Sequence, residues 1–236
     1  MKLLNLLMIG LICGQTYAQR PGDMTQGVLN ELIPFNNSVK QLYGNSYLFS
    51  DWSKGKIAIK HKGKLKEYNP LDLRYDLANQ HVEVKFKNSV SGQESVKVFN
   101  DLYLQKFEYQ NQETKKIDRF ERCKNFKTEK PMIGFFKILY SGKKVQLLAQ
   151  HTSYIQKGNE FKTLGIGSAN ERVIKKIAYY ITKGGKTYKI KRRRKSILAQ
   201  FGSKKAEVKS FARENNLYYK SAEDLTAIFK YYDGLK

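Results

Sequence analysis

The sequence predicts a mainly β (α+β) protein, an antiparallel β-sandwich or barrel-like meander with two to three short C-terminal helices. Three features carry that expectation. Between Tyr47 and Lys191 apolar residues recur with period two, short polar connections separate the runs, and beyond Ser196 the period lengthens to that of a helix. The organisation expected is a leader over 1–18, a β domain over 19–195 and a helical tail over 196–236 docked on the sheet.

The chain opens MKLLNLLMIGLICGQTYAQ, with one Lys, an apolar run from Leu3 to Ile12 and small residues at Thr16 and Ala18. This reads as a secretory signal peptide cleaved after Ala18, which makes the protein exported, periplasmic or extracellular. Lipid attachment at Cys13 is disfavoured because Ile12 is too bulky for the preceding position. The run is shorter than the roughly 20 apolar residues of a membrane-spanning helix, and no later segment approaches that length. Cleavage leaves Cys123 alone, so no intrachain disulfide is expected and the fold must rest on its apolar core. With 13% aromatic residues and only four prolines, the composition is that of a packed globule and not of a disordered tail.

Gln19 to Ser46 is mixed. VLNELI, Val28 to Ile33, reads equally as a short helix or a strand, and Asn36-Asn37-Ser38 marks a turn. The alternation is then clear in Ile57 and Ile59, and clearest in LDLRYDL. There Leu71, Leu73, Tyr75 and Leu77 share one face and Asp72, Arg74 and Asp76 the other. A turn at Ala78 to His81 leads into VEVKFK, with Val82, Val84 and Phe86 inward, so the two runs make a hairpin. Val96 and Val98, Leu102 and Leu104, and Phe107 and Tyr109 continue the pattern, followed by a weaker strand over Ile117 to Phe126. GFFKILY is apolar on both faces, as a central strand would be, and Ser141-Gly142 turns it into VQLLAQH. After a loop over Gly158 to Asn170, IAYYITKGGKTYKIK is a hairpin with Gly184-Gly185 at its tip, where the tight turn demands positive φ.

Ile197 to Phe201 is expected to turn the chain into two helices. Ser203 is the expected cap of the first, whose inner face carries Val208, Phe211 and Ala212. Ser221 caps the second, Asp224 occupies the capping-box position, and Leu225, Ile228, Phe229 and Tyr232 form the buried stripe.

The formal net charge is +23, and the densest basic stretch is KIKRRRKS. Alternation makes Lys189 and Lys191 the solvated side of a strand. Arg192, Arg193, Arg194, Lys195 and Ser196 instead crowd the passage from strand to helix, where a bound anion would relieve their repulsion. Nucleic acid is an improbable partner, because the chain has no zinc-ligand spacing, RNA-recognition aromatic motif or helix-turn-helix placed to read a groove. The partners that suit both charge and address are anionic envelope lipid, anionic polysaccharide or another envelope protein. The competing reading is a merely solvated basic face.

Signals for catalysis are weak. His61, His81 and His151 lack metal-ligand spacing, and each reads as a surface or strand-edge residue. Cys123 reads as a small buried side chain. GIGS, Gly165 to Ser168, has Asn170 where both a nucleophile elbow and a dinucleotide loop require Gly. The acid pairs Asp72 with Asp76 and Asp118 with Glu121 have no neighbours that would split their pKa values. No metal or other cofactor is expected, and an enzyme is less favoured than a binding module.

YLFSDW, GFFKILYSGKKVQLLAQH, YYITKGGKTYKIKRRRKSILAQF and EDLTAIFKYYDGL, taken in order from Tyr47 to Leu235, resemble a family of small secreted β-rich proteins of Gram-negative bacteria with a C-terminal helical tail. The resemblance implies export, the same architecture and a basic junction at Arg192 to Lys195. That family has no assigned site, so it lends no functional residue. The function expected is a non-enzymatic binding or interaction module of the cell envelope with a cationic surface. The alternatives are a structural or accessory protein without a specific ligand, and then a hydrolase.

Overall fold

A computed structural model describes residues 33–34, 44–87, 92–157 and 171–236. The expected leader with its Ala18 junction, residues 19–32, the Asn36 turn and the loop at 158–170 with its GIGS stretch lie outside the described residues.

Among the described residues eleven strands form one antiparallel sheet: β1 (Ile33–Pro34), β2 (Ser53–His61), β3 (Lys64–Asp76), β4 (His81–Lys87), β5 (Glu94–Phe99), β6 (Leu104–Gln110), β7 (Ile117–Arg122), β8 (Phe135–Ser141), β9 (Gln146–Gln156), β10 (Arg172–Lys183) and β11 (Lys186–Ile190). Their order is β1-β5-β4-β3-β2-β6-β7-β8-β9-β10-β11, with β1 only a two-residue stub. Three helices follow, α1 (Arg194–Leu198), α2 (Lys205–Glu214) and α3 (Ala222–Gly234), with a 3-10 turn at Ala199–Lys204 between the first two.

The sandwich or barrel resolves to a single open sheet that curls without closing. Tyr75 on β3 and Phe135 on β8 are four strand spacings apart, about 19 Å on a flat sheet, yet their ring centroids are 5.9 Å apart. Register shifts at Gly55/Ile57, Ala58/Ile59 and Ile138/Tyr140 supply local kinks, since a bulge bends its strand and adds twist. Gly55 sits at one of them, where a Cβ would collide with the Glu108 carbonyl of the neighbouring strand. The curl wraps the first half of the sheet around Leu71, Leu73, Tyr75, Val82, Val84, Phe107, Phe120 and Phe135, so period-two alternation alone builds a core. Over β8 to β11 the helices cover the same face. Leu147, Ala149, Tyr179, Ile181 and Ile190 meet Val208, Ala212, Leu225, Ile228 and Phe229 there, and helical cover removes the need for the sheet to close on itself. Cys123, Phe136 and Leu148 form a third, smaller cluster on the reverse side.

The details agree with the sequence in most places and depart from it in four. The Ala78 turn, the Gly184-Gly185 tip and the second helical stripe form as expected; of the first, Val208 and Ala212 are buried and Phe211 is half-buried, stacked on the Tyr231 ring. Phe135 and Phe136 are both fully buried, on opposite faces of β8, as a central strand requires. The strand expected to reach Phe126 ends at Arg122, because Cys123–Asn125 coils into a 3-10 turn held by Cys123 N–H on the Gly134 carbonyl at 2.8 Å. Leu102 is not in a strand but in a turn, 58% exposed. Helix α1 starts at Arg194, inside the basic run and ahead of Ser196. Ser203 does not cap α2: Gly202 breaks the helical path at φ 52°, ψ −126°, Ser203 lies in the 3-10 turn, and Lys204 takes the cap position without a side-chain bond.

Ser221 does cap α3, accepting Asp224 N–H at 2.9 Å. Asp233, in the last turn of α3, accepts the backbone N–H groups of Lys143, Lys144 and Val145 at 3.0, 2.7 and 3.2 Å. A carboxylate there opposes the helix dipole. Burial would raise its pKa, but the three amides and the Tyr140 hydroxyl outweigh that and hold it below the usual value.

Candidate functional site

Charged side chains gather at two places, the basic junction and the outer face of the β3–β4 hairpin. Arg192, Arg193, Arg194 and Lys195 are all exposed, and Ser196 is half-buried. The chain leaves β11 at Ile190, whose side chain anchors in the helix-covered core, and enters α1 through Ile197 and Leu198, also buried; the residues between are therefore forced outward. Arg192 donates to the Lys220 carbonyl at 3.1 Å and lies over the Tyr179 ring, while Arg194 lies over the Tyr219 ring with its guanidinium carbon 5.9 Å from the centroid. Ser196 offers its backbone carbonyl to the Gln200 side chain, an intramolecular role. Arg193 is the cap residue of α1 and makes no capping bond.

Arg194 also lines a cavity of about 290 Å³ with Arg213 from the end of α2 and Asn216, Leu217, Tyr218 and Tyr219 from the α2–α3 loop. That loop is firmly held. Leu217 N–H bonds the Ala212 carbonyl at 2.8 Å, and Tyr218 N–H bonds the Asp224 carboxylate at 2.9 Å. Asn216 and Tyr219 both adopt left-handed backbone, φ 53° and 64°, which is costly for an aromatic residue. The Tyr219 ring is packed into the core, 5% exposed, and its neighbour Tyr218 is thereby turned out to 71% exposure. Among the described residues no carboxylate comes within 4.0 Å of the charged groups of Arg192, Arg193, Arg194, Lys195 or Arg213. The other cavity of about 290 Å³, over β2, β6 and β7, is different in kind. There Lys56, Lys106 and Arg119 pair with Glu67 and Glu108 at 2.8 to 3.9 Å, so its charge is largely neutralised.

No protein family, curated protein or solved structure matches the chain. Function must be read from the residues.

Alternation placed Arg74, Asp76 and Glu83 on the outer face of the β3–β4 hairpin, and the structure covers that face with residues from the 44–52 segment. Glu83 is fully buried. One of its oxygens accepts the Tyr47 hydroxyl at 2.9 Å and lies 3.4 Å from His81 Nε2; the other accepts Arg74 Nη2 at 2.6 Å and Nε at 3.1 Å. The Arg74 guanidinium is sandwiched against the rings of Tyr47 and Trp52 at 3.7 and 4.6 Å. Asp76 accepts Ser46 Oγ–H, Ala78 N–H and the Asn79 amide at 2.7 to 2.9 Å, with His81 Nε2 at 3.6 Å. Burial alone would raise the Glu83 pKa, but bonds from His81, Arg74 and Tyr47 outweigh it and hold the carboxyl below its ordinary value. Burial and the same carboxylate push the Tyr47 phenol far up.

Asp76, His81 and Glu83 bring ligand-type atoms within 4.8 Å of one another. The carboxylate oxygens are already engaged, however, and a cation would have to displace Arg74 or Tyr47 from Glu83 and Asn79 or Ser46 from Asp76. Nor is Ser46 with Asp76 and His81 a catalytic triad, because the hydroxyl bonds to the acid and not to the imidazole. The arrangement fits a buried polar clamp fastening residues 44–52 to the sheet. Sequence reading missed it because the segment that covers the outer face carries no periodicity.

The remaining histidines and the thiol offer little chemistry. His81 opens β4 beside its acids and is not a free surface residue. His151 lies within β9, and burial together with nearby Lys137 depresses its pKa to about 4. Asp118, whose charge acts on His151, spends one oxygen on Lys137 at 2.7 Å and Asn111 at 3.0 Å. Cys123 is fully buried, and burial, then Asp101, push its thiol up to about 12. His61 ends β2, half-buried.

Proposed function

We propose that the chain is an exported, non-enzymatic binding module of the cell envelope, and that the corner around Arg192, Arg193, Arg194, Lys195 and Arg213 is its contact with anionic partners. The observation that carries this reading is the lack of any carboxylate partner for these five exposed side chains among the described residues, against the paired charges over β2, β6 and β7. Unpaired positive charge on a rigid corner creates a field that attracts anions and weakens with salt. The buried thiol and the sequestered carboxylates support a binding role over a hydrolytic one. Among the described residues no helix is long and apolar enough to cross a membrane.

The test is co-sedimentation of the protein with vesicles of phosphatidylglycerol and phosphatidylcholine mixed, against phosphatidylcholine alone, across a salt series. Binding is expected only to the anionic vesicles, falling as salt rises. The triple variant Arg192→Ser, Arg193→Ser, Arg194→Ser, with its melting temperature unchanged, is expected to lose most of it. Equal binding by the triple variant would refute the assignment of this corner. Binding to neither vesicle would favour an accessory protein whose charge only maintains solubility.

A further inference from the structure

The α2–α3 corner holds more than charge. We propose that the cavity between Arg194 and Arg213 binds a pyranose sugar ring bearing a carboxylate or phosphate, an inference that rests on the basic corner being a ligand-contact surface. Three features of the cavity select that chemistry. Two arginines from different helices line it with no carboxylate among the lining residues, and a guanidinium fork suits a planar or tetrahedral oxyanion. Tyr218 is the most exposed large apolar side chain among the described residues, and it presents a ring face of the kind that packs against the C–H face of a sugar. Asn216 supplies both a donor and an acceptor, the pair that a ring hydroxyl uses. The volume, about 290 Å³, is at the lower end of small-molecule sites and suits one ring rather than a polymer groove.

Preorganisation strengthens the case. Tyr218 is not a loose surface residue: its N–H is fixed by Asp224, the residue before it by Ala212, and the residue after it is buried in left-handed backbone beneath Arg194. Little ordering entropy remains to be lost when a ring settles on it. Insertion into a lipid bilayer, as distinct from attraction to its charged surface, would call for several apolar side chains protruding together. Tyr218 instead stands among Arg194, Arg213 and Asn216.

The experiment is isothermal titration of the full chain with a galacturonate trisaccharide, glucosamine 1-phosphate and the neutral galactose trisaccharide, with the phosphatidylglycerol vesicles run alongside. Binding of either anionic sugar and not the neutral one is expected, and the better anionic probe tells carboxylate from phosphate. Tyr218→Ala should weaken that sugar by up to about tenfold, as expected for one aromatic face, while leaving vesicle binding as in the wild type. Tyr218→Phe should restore the sugar affinity, and Arg194→Ser with Arg213→Ser should weaken both ligands. Failure of both anionic sugars to bind while vesicles still do, or sugar binding indifferent to Tyr218→Ala, overturns the inference and leaves the proposed function standing. Failure of sugars and vesicles together overturns both.

Discussion

Replacing Glu83 by Gln keeps the shape of the side chain and removes the charge on which the buried clamp converges. Glu83 is 0% exposed and its partner Arg74 21%, and the variant would leave the guanidinium half-buried without its counter-ion. Removing one member of a buried pair costs about 3–5 kcal/mol, and the water that Arg74 still touches puts this case near 3. At about 2–4 °C per kcal/mol for a chain of this size, the melting temperature should fall by about 6–12 °C. Arg74→Met alone should cost a similar amount, and the double variant less than the sum, because the two residues share one interaction. The pH dependence has a defined sign. The Glu83 pKa is lower in the folded protein than its ordinary value of 4.5, so its contribution is complete above that value and is lost as pH falls through the folded pKa. Thermal unfolding followed by tryptophan fluorescence at pH 7, 4.5 and 3.5 reads both effects, since Trp52 stacks on Arg74. A shift below about 2 °C, strict additivity of the two variants, or equal acid sensitivity in wild type and Glu83→Gln would refute the clamp.

Two further outcomes are expected. His151 has its folded pKa depressed from 6.5 to about 4, so the unfolded chain takes up its proton first and stability falls as pH drops from 6.5 towards 4; His151→Asn should flatten the unfolding free energy across that window, and an unchanged slope would count against the burial described. Cys123, fully buried with its thiol raised to about 12, should react with a thiol reagent only at the rate of unfolding, and fast labelling of the native protein would contradict its packing.

The parts of the fold that were legible are those that rest on local periodicity. Leu71, Leu73, Tyr75 and Leu77 all fall on the core face, and Leu225, Ile228, Phe229 and Tyr232 on the buried stripe, because period two and period 3.6 each fix which side a residue takes. Curl was not legible: the approach of Tyr75 to Phe135 depends on bulges whose register shifts leave no mark in the alternation. Ser203 failed as a cap because Gly202 sends the chain into α2 through a 3-10 turn, whereas Ser221, with extended backbone in front of a regular helix, capped as expected. Of the basic run, alternation marked Lys189 and Lys191 as solvated, and both are exposed. The run's meeting with Arg213 and Tyr218 was not legible, since that depends on how α2 packs back over the start of α1. The clamp was invisible for a related reason. Its charged members lie on a face that alternation assigns to water, and only the irregular residues from Ser46 to Trp52 bury them.

The bond from Asp233 to the turn between β8 and β9 spans 88 to 90 residues of sequence. During synthesis that turn must therefore emerge with its three amides bare, and everything from β9 to α3 must follow before the clasp can shut. A chain interrupted ahead of Asp233 would hold the complete set of strands yet lack the latch that draws the terminal helix onto them. The latch thus closes only after Leu225, Ile228 and Phe229 have been made, the residues that cover the apolar face of β9 to β11.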